Sequence, residues 1–120
     1  LASQRRTGFY QQMRQHFETF DVLALPVAQV WPFPVADRWP QRIGKRPMDT
    51  YHRWMECTIY ATLAGLPALS MPAGFHPQRP WPMGIQLIGK PQGDVALLQV
   101  AAAYEAVRGD WLLQRPDSPC

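Results

Sequence analysis

Few side chains in this sequence could act as a nucleophile or a general base. The serines are Ser3, Ser70 and Ser118, and the lysines are Lys45 and Lys90. A serine hydroxyl becomes a useful nucleophile only when a base lies within hydrogen-bond reach and preorganised donors face the developing negative charge. None of the three serines lies in a Gly/Ser-rich loop that could supply backbone donors. We therefore predict no catalytic residue in this chain.

The sequence also has no pattern of residues that indicates a metal or cofactor site. His16, His52 and His76 share no ligand spacing, and Cys57 and Cys120 form no Cys-x-x-Cys pair. Structural zinc sites need four such ligands, usually at short and regular spacings. The sequence therefore predicts no metal site and no cofactor, and it favours two free thiols.

The composition is that of a globular domain with an unusual share of proline. The 120 residues are 47% hydrophobic and include 13 prolines, about twice the usual share of roughly 5%. The net charge of +3 is accompanied by no nucleic-acid recognition motif. No apolar run approaches the ~18 residues of a membrane span, and no signal peptide is visible. We expect one domain or less, located in the cytoplasm, with neither nucleic acid nor membrane as a partner.

The first half of the chain predicts two helices and one strand. Apolar residues recur at helical spacing over residues 3–20. The continuous apolar run over residues 22–25 before Pro26 is typical of a buried strand, for which a parallel neighbour is one option. Residues 27–47 are rich in proline and without period, so we expect an irregular surface loop. A second helix is predicted over residues 48–64, ended by Gly65.

The second half predicts two paired strands and a final helix. Apolar runs over residues 68–71 and 83–88 are separated by turn residues, and Pro72 should lie at a strand end or edge because it cannot donate to a ladder. Asp94 is the predicted N-cap of a helix over residues 95–107. That helix is apolar on nearly every side, so we expect it to be covered by protein outside this sequence or by a second copy of the chain.

Residues 60–89 resemble the C-terminal part of the amidase signature family. Members commonly carry Asn-Leu-x-Gly-x-Pro-Ala-x-Ser-x-Pro-x-Gly, followed by Gly-Leu-Pro-x-Gly-x-Gln-Leu-x-Gly. This sequence departs from the pattern at Thr62, which replaces the Asn, and at residues 80–82, which replace Gly-Leu-Pro. The matching residues are Leu63, Gly65, Pro67, Ala68, Ser70, Pro72 and Gly74 in the first part, and Gly84, Gln86, Leu87 and Gly89 in the second.

The resemblance implies an α/β fold, namely a fragment of the amidase signature fold with a mixed β-sheet covered by helices in the order α-β-loop-α-β-β-α. Residues 1–120 would be the C-terminal portion of one amidase domain, with 27–47 as a long Pro-rich loop and no second domain. Family members hydrolyse carboxamides with two serines and a lysine that lie in the N-terminal part. Ser70 matches a non-catalytic serine. The segment would therefore complete the sheet and wall the pocket of a small amide substrate, and would be inactive alone.

Four residues are candidates for the substrate-binding wall, because in the family the segment before the Gly-x-Pro turn approaches the substrate. They are Trp54, Glu56, Tyr60 and Thr62, and for each of them simple packing or exposure on a helix face is the alternative. A second function also stays open, that of a stand-alone interaction module that forms a homodimer through a sheet edge and the last helix. The partner would accordingly be the missing N-terminal part of an amidase chain or a second copy.

Overall fold

A computed structural model of the chain describes residues 1–109. Ser118, for which no catalytic role is predicted, and Cys120, which is predicted to be a free thiol, lie outside the described residues. The helices are α1 (Ala2–His16), a 3₁₀ helix (Tyr51–Thr58), α2 (Ile59–Ala64) and α3 (Asp94–Val107); the strands are β1 (Leu23–Pro26), β2 (Arg42–Ile43), β3 (Arg46–Pro47), β4 (Ala68–Phe75) and β5 (Pro82–Ile88).

The main sheet has three strands in the order β1-β5-β4, and its central strand is β5. Ile88 of β5 lies opposite both Leu23 of β1 and Ala68 of β4. Both pairings are antiparallel, so within residues 1–109 β1 has no parallel neighbour, which its continuous apolar run had left as one option. The predicted pairing of the two later strands is confirmed, and so is the α/β class.

The edge strand β4 extends further than the sequence predicted. Its pairing with β5 continues past Pro72 to Phe75, with a β-bulge between Pro72 and Gly74. A proline is tolerated here because the strand is paired on one side only, and the bulge relieves the local ladder. The prediction that Pro72 lies at a strand end or edge is therefore confirmed by its edge position, and the strand continues beyond the apolar run of residues 68–71 from which it was predicted.

The sheet has helices on both faces, because consecutive residues of β5 point in opposite directions. Ile88 is fully buried and packs in one cluster with Phe17, Ala61 and Leu66. Leu87 packs in the second cluster, with Met71, Leu97 and Ala101. Helices α1 and α2 therefore cover one face and α3 covers the other, with β5 supplying side chains to both cores.

Helix α3 is covered on one face only within the described chain. Leu97 and Ala101 are buried, but Val95, Leu98 and Val107 are 70%, 62% and 81% exposed. The helix begins at Asp94 with Gly93 as its N-cap and no side-chain cap bond, so the predicted capping role of Asp94 is wrong by one position. Residues 1–109 leave the other face of the helix exposed, and its cover by protein outside this sequence or by a second copy stays a prediction.

Three other boundaries differ from those the sequence predicted. Helix α1 ends at His16 rather than near residue 20. The second helical segment starts at Tyr51, is 3₁₀ in its first part and has a non-helical backbone at Met55. The Pro-rich loop contains a short hairpin of β2 and β3, which turns at Gly44 with φ +56°. The predicted helix end is confirmed, since Gly65 closes α2 in the left-handed conformation.

Replacement of Ile88 by alanine tests how much the buried side chains of the central strand β5 contribute to folding stability. We expect Ile88→Ala to lower the free energy of unfolding by about 2–5 kcal/mol, because it leaves a cavity in the closed core. Urea denaturation followed by circular dichroism measures the change. The matched control, Val107→Ala at an exposed position, should change stability by no more than about 0.5 kcal/mol. Equal effects of the two substitutions would contradict the assigned core.

Candidate functional site

The buried side chain of Gln86 joins three elements that are distant in sequence. It lies on the central strand β5 and is 6% exposed. Its Nε2 donates to the backbone carbonyl of Pro26 at 3.1 Å and to that of Cys57 at 2.7 Å. Both amide hydrogens are thus used, and the end of β1 and the end of the 3₁₀ helix are fixed beside β5.

Cys57 reinforces the same junction. Its Sγ lies 3.6 Å from the Val27 carbonyl, to which the thiol donates. Burial raises the pKa of the Cys57 thiol, which keeps it protonated and a poor nucleophile near neutral pH. Cys57 therefore has a structural role here.

A cleft of about 370 Å³ opens beside this junction. We call it the Gln86 cleft. Apolar side chains supply much of its wall, and polar groups come from Thr58, Thr62, Ser70 and Gln86. The Thr58 hydroxyl donates to the Met55 carbonyl. Within residues 1–109 the side chains of Thr62 and Ser70 make no hydrogen bond, so their hydroxyls can donate to or accept from a ligand. The apolar lining comes from Val27, Ala61, Leu66 and Leu69 together with Ala68 and Gly65.

The cleft can bind a polar ligand, but the described chain supplies no base that could activate Ser70. Neither Lys45 nor Lys90 lines it. Lys90 pairs instead with Asp21 at 3.0 Å. Ser70 lies on the edge strand opposite Gln86, whose side chain is an amide and cannot accept the proton that a nucleophilic serine must lose. The cleft is therefore suited to holding an amide or carboxyl group by hydrogen bonds.

Of the four predicted wall residues, Thr62 is the one that lines the Gln86 cleft. Tyr60 is 45% exposed, and its ring lies 6.4 Å from that of Phe9 on α1. Trp54 packs edge-on against Phe33 at 5.6 Å. The structure therefore does not bring Tyr60 or Trp54 to the same cleft as Thr62, and their contact with a substrate stays a prediction.

Glu56 belongs to a network of ion pairs. Its carboxylate accepts two hydrogen bonds from Arg46, at 2.9 and 3.1 Å, and lies 3.5 Å from Arg53. Arg53 also hydrogen-bonds to Asp49, which holds the pKa of that carboxyl below its usual value. The network fixes the β2-β3 hairpin on the 3₁₀ helix, and in this arrangement Glu56 binds protein rather than ligand. Its predicted place in a substrate wall also stays a prediction.

Neither a metal-binding cluster nor a membrane-spanning helix is found in the described part of the chain. Among residues 1–109 there is no group of three or more His, Cys, Asp or Glu side chains that could hold a metal ion. No helix in that range has the length and apolar character needed to cross a membrane.

The sequence did not reveal that Gln86 is the central polar residue of the site. Gln86 alternates along β5 with the apolar residues Ile85 and Leu87, and a glutamine in such a pattern is ordinarily solvated. Its carbonyl partners are 29 and 60 residues away, and no local spacing indicates them. The only signal was that Gln86 belongs to the motif on which the resemblance rests.

Comparisons with known proteins agree on one family. The family model described as Amidase matches residues 1–98. The A subunit of the glutamyl-tRNA(Gln) amidotransferase of Chloroflexus aggregans is 36% identical over 116 residues, which are 97% of this chain and 22% of the relative. The corresponding protein of Symbiobacterium thermophilum is 40% identical over 108 residues, 88% of this chain and 20% of the relative. The chain thus spans about a fifth of the length of these relatives.

Solved structures give the same result. The A subunit of the glutamyl-tRNA(Gln) amidotransferase of Thermotoga maritima superposes with a TM-score of 0.67 at 27% identity, covering 85% of this chain and 21% of that one. The 6-aminohexanoate cyclic dimer hydrolase superposes with a TM-score of 0.68 over 93% of this chain and 24% of that one. The identity to the hydrolase is 19%, so this second match speaks for the fold alone.

Replacement of Gln86 by leucine tests the junction. We expect Gln86→Leu to cost about 1–3 kcal/mol of folding stability, because it leaves buried carbonyl oxygens without a donor. The control is Gln99→Leu on the exposed side of α3, which should stay within about 0.5 kcal/mol of the parent. Chemical denaturation measures the free energy of unfolding of both variants. If Gln86→Leu were as stable as the control, the Gln86 hydrogen bonds would not be what stabilises the junction.

Replacement of Gln86 by glutamate should make stability depend on pH. An ionised carboxylate would face two carbonyl oxygens, so the fold raises the pKa of the introduced carboxyl above the unfolded value of about 4.3. Relative to the parent, the variant is then least destabilised below that value and loses stability as the pH rises through the folded pKa. Unfolding at pH 4 and pH 8 measures the effect, and a deficit independent of pH would contradict it.

Proposed function

The chain belongs to the amidase signature family, and from this we propose that it serves as the C-terminal part of a carboxamide hydrolase. In that role it completes the sheet and forms one wall of the substrate pocket. The observation that supports this best is the Gln86 cleft, which presents Thr62 and Ser70 between apolar walls and receives no base from the described residues. A pocket wall needs such hydroxyl groups to orient an amide, whereas the nucleophile and the base can come from another part of the protein.

We further propose that the catalytic groups come from protein outside these 120 residues. In the family, a serine attacks the amide carbonyl, a lysine takes up the proton through a second serine, and backbone N–H groups of a Gly/Ser-rich loop stabilise the oxyanion. This chain would contribute orientation and exclusion of water. Hydrogen bonds from the Thr62 and Ser70 hydroxyls to the bound amide would position its carbonyl for attack.

The exposed surfaces of the chain support the same proposal. Val95, Leu98 and Val107 present apolar side chains on the outer face of α3. Strands β1 and β4 form the two edges of the described sheet, and unpaired sheet edges readily accept further strands. A larger amidase body would cover both features. We propose a cytoplasmic location and a small amide as substrate, since amide hydrolysis is the chemistry that the family shares.

The isolated 120-residue chain should not hydrolyse amides or simple esters. The measurement is ammonia or amine release by the purified chain from a panel of small amides, beside a Ser70→Ala variant that controls for contaminants. We expect both proteins to be inactive alone. After mixing with the N-terminal four-fifths of one of the amidotransferase relatives, Ser70→Ala should give lower activity than the parent chain, because it lacks a hydroxyl that orients the amide. Genuine turnover by the isolated chain would contradict the proposal, above all if Ser70→Ala abolished it.

A second candidate function is that of an interaction module that works as a homodimer. The apolar outer face of α3 favours it, because a copy of the same face could cover Val95 and Leu98. Sedimentation equilibrium at high micromolar concentration should then show a dimer that Leu98→Asp dissociates. The control is Gln12→Asp, at an exposed position of α1 away from α3, and it should leave the dimer intact. A strict monomer at that concentration would exclude this function and leave the hydrolase segment as the remaining one.

A further inference from the structure

A second cleft, of about 410 Å³, lies between the Pro-rich loop and the turn that joins β4 to β5. We call it the Trp81 cleft. The loop supplies Pro32, Phe33 and Pro34, and the turn supplies Arg79 and Trp81. It shares no lining residue with the Gln86 cleft. Its size lies within the range of about 300–1,000 Å³ that is usual for small-molecule sites.

The walls of the Trp81 cleft are held in place by contacts among aromatic rings. His76 lies edge-on to Trp31 at 4.9 Å and to Trp81 at 5.8 Å, so the loop is docked on the turn. The turn is closed by the His76 N–H, which donates to the Trp81 carbonyl at 2.8 Å, and the Gln78 N–H donates to His76 Nδ1 at 3.1 Å. Phe33 packs edge-on against Trp54. The cleft is therefore preformed and does not need a ligand to order it.

One positively charged side chain, that of Arg79, lies beside these apolar walls. The guanidinium carbon of Arg79 lies 4.3 Å from the centre of the Trp81 ring. Among residues 1–109, Arg79 takes part in no ion pair, whereas Arg46 and Arg53 are paired with carboxylates. A guanidinium stacked on an indole keeps its edge N–H groups free to bind a planar anion, often through two hydrogen bonds. The cleft thus combines flat apolar surfaces with a single unpaired positive charge.

We propose that the Trp81 cleft binds an aromatic carboxylate. The carboxylate pairs with Arg79, and the aryl ring packs against Phe33, Trp81 and the neighbouring proline rings. A single guanidinium matches a monoanion better than a phosphate dianion, and its charge disfavours cationic ligands. The site is built entirely from this chain and involves no bond cleavage, so binding can be measured without any hydrolase activity. Its failure would leave the proposed hydrolase function untouched.

The experiment is a titration of the full 120-residue chain, followed by two-dimensional ¹H–¹⁵N NMR. The probe is 2-naphthoate, and 2-naphthamide serves as its neutral counterpart of the same shape. We expect saturable shifts of the Trp81 indole N–H and the Arg79 Nε–H signals, with naphthoate bound about three- to fivefold more tightly than the amide, as for one solvent-accessible ion pair. Acetate, which has no ring, should not shift the Trp81 signal.

Two arginine variants make the test specific. Arg79→Gln should bind naphthoate and naphthamide equally, because the charge that distinguishes them is gone. Arg38→Gln is the matched control, since Arg38 is also exposed and lies over a tryptophan ring, that of Trp39 at 5.7 Å; it should bind as the parent does. Both substitutions are at exposed positions, and the NMR spectrum of each variant reports its fold directly.

The results that would overturn the proposal are equally definite. The proposal is wrong if the Trp81 signal shows no saturable shift in the parent chain, or if Arg79→Gln still binds naphthoate more tightly than naphthamide. It is also wrong if Arg38→Gln loses the preference for naphthoate as fully as Arg79→Gln does, because the preference would then come from diffuse charge attraction. A further variant, Phe33→Ala, should weaken both ligands alike because it removes a wall of the cleft. Unchanged binding by that variant would also count against the site.

Discussion

The pair of hydrogen bonds donated by the buried Gln86 amide is the constraint on which the site depends. An amide group can be buried on a central strand only if its donors find acceptors, and here they find the Pro26 and Cys57 carbonyls. This requirement fixes the end of β1 and the end of the 3₁₀ helix beside β5. Helix α2 then continues from that point and carries Thr62 to the cleft, while β4 places Ser70 opposite Gln86.

The central strand β5 is buried on both faces of the sheet, whereas the sheet edges and the outer face of α3 are exposed. Leu87 and Ile88 are both buried because helices cover both faces of the sheet. The sheet nevertheless has β1 and β4 as its edges, and the outer face of α3 is apolar and exposed. These features, together with relatives of which the chain spans about a fifth, support the proposal that a larger amidase body makes the remaining contacts.

The sequence predicted those parts of the fold that depend on neighbouring residues. The β4-β5 pairing, the end of α2 at Gly65 and the family could all be recognised, because turn chemistry, backbone preference and a motif are local signals. The 3₁₀ segment and the β2-β3 hairpin were missed, since they depend on distant contacts such as the Arg46–Glu56 ion pair. For the same reason the partners of Gln86 could not be predicted. Among the wall candidates, Thr62 lies next to the motif and lines the cleft. Trp54 and Tyr60 were predicted to form an apolar wall, but their ring contacts with Phe33 and Phe9 are made to distant parts of the chain and could not be predicted.

We expect protein outside these 120 residues to cover the outer face of α3 and the free edge of β4. Amide hydrogen exchange tests it most directly, with the chain measured alone and after mixing with the N-terminal four-fifths of one of the amidotransferase relatives. We expect the outward-facing amides of β4 and the amides of α3 to exchange faster in the isolated chain than in the mixture, while the buried amides of β5 change little. Full protection of α3 and β4 in the isolated monomeric chain, or no gain on mixing, would contradict it.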